Sequence, residues 1–363
     1  MWYRTLTNAL KEEGFTPTDD DPCLFVFNDG TIEMKLGIHV DDGLVVSNSE
    51  ESWRKVLTNL ANKHGLTVSD SGAPKTFVGM NVTIGPDFVK LSHESKIKEI
   101  VREFLADVNK MYRSPASPGA KLDPTPHRGT KYRTLLGKLM HLAVWTRPDI
   151  AVDVGHGAKV QDNATEGDWK ALLRIVGYLN STPAHGLIYE RETAVEASNR
   201  RIGKRGCIEG YVDADYAEDE TDRKSVTGYV FFMAGAPIAW RSKKQACTSL
   251  STTESEYVAA TMAAQEAAWI SRIAKNFGID TGTMTLWEDN MGCIARTQKD
   301  PHYFRARAKH IATRYHYIRH QVKDGHIELE YCPTSEMAAD MLTKRLAPQA
   351  HECKRGLLVR AHP

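Results

Sequence analysis

A chain of 363 residues, 41% hydrophobic and 26% charged, has room for two or three domains with cores of their own, and this balance excludes a disordered polypeptide. Its formal net charge of +1 excludes a broadly basic nucleic-acid coat, so a polyanion has to be met by local basic patches. No apolar run approaches the roughly 20 residues that span a bilayer, and Met1-Trp2-Tyr3-Arg4 lacks the apolar core of a signal peptide, so the expectation is an intracellular protein, cytoplasmic or nuclear, with no membrane partner.

In the first segment, residues 1–110, the apolar run Cys23-Leu24-Phe25-Val26-Phe27 ends in the turn signal Asn28-Asp29-Gly30, and a second strand is predicted from Thr31 to Val40. His39-Val40-Asp41-Asp42-Gly43-Leu44-Val45-Val46 then places two adjacent aspartates between apolar strands. Taken alone, Asp-Gly at a hairpin tip reads as turn chemistry. Glu50 to His64 carries Trp53, Val56, Leu57, Leu60 and Ala61 on one helical face closed by Gly65. A strand follows at Thr76 to Ile84, then a helix with Ile97, Ile100, Val101, Phe104 and Leu105 on one side. This order of a Phe-rich strand, V-D-D hairpin, helix, F-x-G-M strand and helix resembles the palm of a copia-type retrotransposon reverse transcriptase. The resemblance implies that Asp41 and Asp42 hold catalytic magnesium. Such a polymerase needs a third carboxylate from an upstream strand, and Trp2-Tyr3-Arg4 is similar to the segment that follows that strand. The triplet Asp19-Asp20-Asp21 before Pro22 reads as a turn, so the expectation is a partial palm with no DNA synthesis by this chain alone.

The middle segment, residues 111–190, opens with the proline-rich connection Ser114 to Pro126. Tyr132 to Val144 brings Leu135, Leu136, Leu139, Met140 and Ala143 onto one face, Thr146-Arg147-Pro148-Asp149-Ile150 breaks that helix and starts another, and a third begins near Thr165 or Asp168. The phrase from Tyr132 to Leu142 followed by T-R-P-D-I is similar to the thumb and connection region of the same polyprotein. The resemblance implies a grip on a nucleic-acid duplex, with Lys131, Arg133, Lys138 and Arg147 as phosphate candidates, although each singly reads equally well as an ordinary solvated cation. Residues 191–205, polar and without periodicity, are predicted to be a linker.

Residues 206–346 start with strands at Cys207 to Asp213, Gly228 to Ala234 and Pro237 to Arg241. Ser251-Thr252-Thr253-Glu254 is a capping signal for a long helix to about Asn276 with Tyr257, Ala260, Ala264, Ala267 and Ile270 as its stripe. A strand at Met284 to Trp287, a helix opened by Glu288-Asp289-Asn290, a basic helix from Ala308 to Val322, a strand at His326 to Tyr331 and a helix at Glu336 to Leu346 complete the order. Residues 347–363 are left as a tail. The ordered phrases Y-V-D-A-D-Y-A, D-R-K-S-V-T-G-Y-V-F-F, S-K-K-Q, S-T-T-E-S-E-Y-V-A, E-D-N-M-G-C-I, K-H-I-A-T-R-Y-H-Y-I-R and A-A-D-M-L-T-K closely resemble copia-type ribonuclease H. The fold class expected is therefore α/β and α+β multidomain: a partial palm, a thumb-like helical bundle and a ribonuclease H-like five-stranded mixed sheet with flanking helices.

The resemblance puts the four catalytic, metal-binding acids on Asp213, Glu256, Asp289 and Asp340. Hydrolysing a phosphodiester calls for an activated water and a stabilised leaving oxygen, which two magnesium ions about 4 Å apart supply, with manganese as a substitute. Magnesium prefers hard oxygen ligands, so carboxylates serve better than histidine or cysteine. Asp215 competes with Asp213, and Glu254 competes with Glu256 but also suits a capping acid, while Glu288 reads as a supporting or solvent-facing acid. Many cellular ribonucleases H carry a mobile histidine before the fourth acid. Cys332-Pro333-Thr334-Ser335-Glu336 has none, which leaves proton transfer to water or Glu336. His316 and His320, four apart, lack the glutamate of an H-E-x-x-H zinc site. The six cysteines, Cys23, Cys207, Cys247, Cys293, Cys332 and Cys353, show no zinc spacing and read as buried hydrophobes in a reducing compartment. Arg223, Lys224, Lys243, Lys244, Arg305, Arg307, Lys309, His310 and Arg314 form the local basic clusters expected along a phosphate backbone. The resulting expectation is a magnesium-dependent ribonuclease H acting on RNA/DNA hybrids, with upstream polymerase or integrase segments as further partners. Its alternative is an inactive nucleic-acid-binding remnant or a partner of an upstream polymerase fragment.

Overall fold

A computed structural model describes residues 2–70, 72–105, 109–119, 122–191, 208–217, 222–298 and 309–361, with the backbone alone at 309–315. Two compact units divide it, Met1–Gly79 with Ala268–Thr281, and Met80–Ala267 with Gly282–Pro363. These limits differ from the sequence-predicted boundaries. Among the described residues no helix is long and apolar enough to cross a membrane.

In the first unit, α1 (Trp2–Glu12) and α2 (Glu50–His64) accompany a four-stranded antiparallel sheet, β1 (Thr16–Pro17), β2 (Leu24–Asn28), β3 (Glu33–His39) and β4 (Asp42–Ser47), in sequence order. Leu6, Leu10, Phe15, Phe25, Met34, Leu36, Val56 and Leu60 form its core. Ser49 caps α2 by accepting from Ser52 N–H, and Gly65 closes it at φ 64°, a left-handed stop that glycine adopts without a Cβ penalty. Asp21 accepts from Cys23 N–H, the side-chain turn expected of the acidic triplet. The strand predicted from Thr76 to Ile84 is split, because Val78 and Gly79 take positive φ values of 49° and 78° between β5 (Thr76–Phe77) and β6 (Met80–Ile84).

The second unit holds a helical bundle and a mixed sheet. Helices α3 (Glu94–Phe104), α4 (Tyr132–Trp145), α5 (Ala151–Lys159) and α6 (Glu166–Ser181) bury Ile97, Ile100, Leu135, Leu139, Leu142, Ile175 and Leu179 against one another. A capping box between Thr165 and Asp168 starts α6. Arg147, predicted to face a phosphate backbone, is instead fully buried. Its guanidinium donates to both oxygens of Asp149 at 2.9 and 2.7 Å and to the Thr182 carbonyl at 2.9 Å, so it braces the helix break from within. Arg133 pairs with Asp162 at 2.7 Å and Lys138 with Glu103, whereas Lys131 is exposed. Two strands escaped the sequence reading, β7 (Phe88–Ser92) and β8 (Gly186–Glu190), which pair antiparallel over five residues. Residues 192–207 of the predicted linker and the beginning of the next strand lie outside the described residues.

The five-stranded sheet runs β11-β10-β9-β12-β13, where β9 is Glu209–Asp215, β10 Val226–Met233, β11 Ala236–Lys244, β12 Met284–Glu288 and β13 Ile327–Tyr331. The three consecutive strands are antiparallel and β12 and β13 join parallel, which is the ribonuclease H-like mixed sheet expected. Every residue of β9 is buried, as befits a central strand covered on both faces. Helices α7 (Thr252–Asn276), α8 (Met291–Gln298) and α9 (Lys309–Lys323) follow in the predicted order. Residues 336–346 do not form the helix predicted for them. Two short 3-10 turns, Thr334–Glu336 and Ala338–Leu342, take their place. The predicted tail carries α10 (Pro348–Leu358), whose Leu358, with the following Val359, is buried in the sheet's core.

Candidate metal centre

Asp213 projects from the middle of the sheet. Its β10 neighbour across the ladder is Gly228, and a Cβ there would lie 2.6 Å from Thr343 Cγ2 and 2.9 Å from Leu342 Cβ. The missing side chain therefore admits the turn that carries Asp340. Thr343 Oγ1 donates to Asp213 Oδ2, while Lys344 Nζ lies 3.3 Å from Asp213 Oδ1 and 2.8 Å from Asp340 Oδ1.

Glu256 stands near the start of α7. Ser251 Oγ accepts from Glu254 N–H and the Glu254 carboxylate accepts from Leu250 N–H, so Glu254 serves as the capping acid and leaves Glu256 to face inward. Gln245 fixes this helix start against the sheet: its side-chain amide donates to Thr227 Oγ1 and the Ser255 carbonyl, and its oxygen accepts from Ser249. Asp289 follows β12 directly and accepts from Thr334 Oγ1 at 2.8 Å.

One oxygen each from Asp213, Glu256 and Asp289 gathers within 4.8 Å of the others, the one such group of metal-competent side chains among the described residues. Burial pushes the Asp213 carboxyl up, with Lys344 and Thr343 pulling against it and Asp340 and Asp289 adding to the rise. Burial, then Glu288, Asp213 and Asp289, push Glu256 up to about 11. Glu256 Oε2 is buried without a hydrogen-bond partner. An array of hard oxygens crowded by mutual repulsion and carrying an orphaned buried oxygen fits a divalent cation, which would relieve the repulsion and satisfy the orphan.

Asp340 is buried beside this group. Its Oδ1 meets Lys344 and its Oδ2 meets Lys354, so the fourth predicted acid is joined to Asp213 through a lysine. Glu288 is not a solvent-facing acid: it is wholly buried at the end of β12, accepts from Asn290 N–H at 3.0 Å, and is driven well up by burial. Asp215 is buried in β9 outside the gathered trio. Asp41 and Asp42 are exposed at the β3–β4 reversal, where Val40 takes φ 55°.

Of the predicted nucleic-acid contacts, Arg223 and Lys243 are exposed, and Lys224 and Lys244 lie 3.8 and 2.8 Å from Asp222. Arg305 and Arg307 lie outside the described residues, and Lys309, His310 and Arg314 are placed on α9 by backbone alone. His316 and His320 are exposed on that helix, as is Glu336 on its turn. Sequence reasoning missed Thr343, Lys344, Lys354 and Gln245. The signal for Lys344 was present, since it stands four residues after Asp340 in the same phrase; Lys354 carried none.

The reverse transcriptase (RNA-dependent DNA polymerase) family model matches residues 1–117. The chain is 31% identical over 358 residues to the retrovirus-related Pol polyprotein from transposon TNT 1-94 of Nicotiana tabacum, covering 95% of this chain and 26% of the relative. It is 32% identical to that from transposon RE1 of Arabidopsis thaliana, covering 97% and 23%. The chain thus spans about a quarter of the length of these relatives. Among solved structures, LC11-RNase H1 in complex with RNA/DNA hybrid is 14% identical with a TM-score of 0.29, over 38% of this chain and 93% of that one. The foamy viral protease-reverse transcriptase in complex with dsDNA is 13% identical with a TM-score of 0.42, over 82% and 55%.

Proposed function

The chain belongs to the copia-type retrotransposon Pol family, with a reverse transcriptase segment and a ribonuclease H-like fold, and from that premise we propose that it cleaves the RNA strand of RNA/DNA hybrids endonucleolytically in the presence of magnesium. The observation that carries this reading is the convergence of Asp213, Glu256 and Asp289, from three separate elements, within 4.8 Å. These three, with Asp340 beside them, would hold the metal. Magnesium held there would supply the activation of the attacking water and the stabilisation of the leaving oxygen that cleavage to 3'-hydroxyl and 5'-phosphate ends needs. Thr343 orients Asp213 and Thr334 orients Asp289, so that carboxylate oxygens converge before substrate arrives. Arg223 and Lys243 offer exposed charge for the hybrid's phosphates.

A second reading, an inactive hybrid-binding remnant or a partner of an upstream polymerase fragment, draws support from Lys344, whose ammonium already neutralises Asp213 and Asp340. Cleavage of a labelled hybrid with magnesium and with chelator, beside Asp213→Asn, separates the two. Magnesium-dependent cutting lost in the variant supports the nuclease; intact RNA with measurable hybrid binding supports the remnant.

A further inference from the structure

Lys354 lies on α10, outside the residues whose sequence carries the metal-binding phrases, and its side chain is only 10% exposed. Its ammonium has three protons and meets three acceptors: the Thr334 carbonyl at 2.8 Å, the Met337 carbonyl at 2.8 Å and Asp340 Oδ2. Thr334 opens the first 3-10 turn, and Met337 is the residue that joins it to the second. One turn bears the Thr334 hydroxyl that holds Asp289, and the other bears Asp340. A single buried cation therefore ties together both segments that reach the acid cluster from the C-terminal side.

The two lysines on Asp340 differ in kind. Lys344 is 38% exposed and spans Asp340 and Asp213 on the cluster side, where an arriving cation can take its place. Lys354 has its remaining bonds on main-chain carbonyls, and its departure would take a partner from the carbonyl of the fully buried Met337. Helix α10 is anchored independently. His351 Nε2 donates to the Asp149 carbonyl at 3.1 Å, its ring meets Tyr178 edge-on at 5.2 Å, and the residue after Val359, Arg360, exchanges two backbone hydrogen bonds with Gly186.

Resting on the reading of the acid cluster as a magnesium site, we propose that Lys354 is a positioning residue for metal binding. It engages Oδ2 of Asp340 and so keeps Oδ1 turned towards Lys344 and the cluster.

The test measures magnesium binding to the full chain by titration calorimetry and by the metal-induced rise in melting temperature, with hybrid cleavage against magnesium concentration as a third readout. Wild type that neither binds magnesium nor cleaves removes the metal-site reading itself. Given a wild type that binds, Lys354→Met is expected to weaken magnesium about 10- to 100-fold, the usual loss when a group orienting a metal ligand is removed. The same substitution on an Asp340→Asn background is expected to add little further weakening, whereas a purely structural role lowers both backgrounds alike. Unchanged magnesium affinity in Lys354→Met, or fully additive losses in the double variant, overturns the proposal. Should the methionine variant not fold, Lys354→Arg decides. It keeps the charge, but its planar fork cannot meet three acceptors gathered round one nitrogen, so weakened binding supports the proposal and wild-type binding defeats it.

Discussion

Gly228 and Asp213 face each other across the β9–β10 ladder, and the absent side chain of one gives room for the turn that engages the carboxylate of the other. A Cβ at 228 would also lie 3.0 Å from the Ala339 carbonyl. Gly228→Ala is therefore expected to push the 338–343 turn outward, cost about 1 to 3 kcal/mol in urea unfolding and reduce hybrid cleavage more than hybrid binding. Unchanged unfolding and cleavage would mean that the turn yields freely.

Glu256 shows a conflict between stability and site chemistry. Its carboxyl, pushed up to about 11 by burial and then by its acidic neighbours, must take up a proton on folding at neutral pH without metal. A raised carboxyl pKa means stability is lost as pH climbs above the unfolded value of about 4.3, so the metal-free protein carries this cost at pH 7. Glu256→Gln removes it. In chelator the variant is expected to melt higher, by about 2 to 4 °C for each 1 kcal/mol recovered, while the rise on adding magnesium shrinks and cleavage falls. A lower melting temperature in chelator would contradict this account.

Arg147 and Asp149 are both wholly buried, with Tyr178 donating to Asp149 as well. Burial alone would raise the Asp149 carboxyl, but the Arg147 guanidinium overrides it and brings it down to about 2. Arg147→Met leaves that carboxylate uncompensated and is expected to cost about 3 to 5 kcal/mol by urea unfolding, whereas an exposed pair such as Arg133 with Asp162 is expected to contribute less than about 1 kcal/mol. Comparable small losses at both sites would show that water reaches the inner pair.

Burial, with the neighbouring His141 and Lys96, holds His93 down to about 4, and burial with Arg147 does the same to His185. Both rings are neutral when folded and charge readily when unfolded. Their contribution is complete above about pH 6.5 and is lost as pH falls towards about 4. The urea midpoint should drop across that interval. His93→Asn, which keeps a polar partner for the Thr146 hydroxyl 2.7 Å away, should flatten the drop; an identical pH profile in the variant would remove His93 from the explanation.

Much of this arrangement was legible in local patterns. The alternation of apolar runs and turn residues predicted β9 to β13 and their order, and Ser251 with Glu254 marked the start of the helix bearing Glu256. What escaped depended on distant partners. The partner of β8 is β7, almost a hundred residues earlier, so no local hairpin signal announced it. Arg147 read as a surface cation because nothing in its spacing shows that Thr182 and Tyr178 close over it. The helix predicted at 336–346 gave way to 3-10 turns fitted against Gly228, a constraint from the other side of the sheet.

Strand β8 has a consequence for descent. Leu187 is buried with Tyr211, Val230 and Leu358, and Arg360 reaches back to Glu190 at 2.8 Å as well as to the main chain at Gly186. A recombination breakpoint near residue 206 would separate these partners and expose an apolar seam on both products. Replacing the chain on one side of this seam alone, residues 80–190 or 208–361, is therefore expected to lower stability unless the other side changes to match.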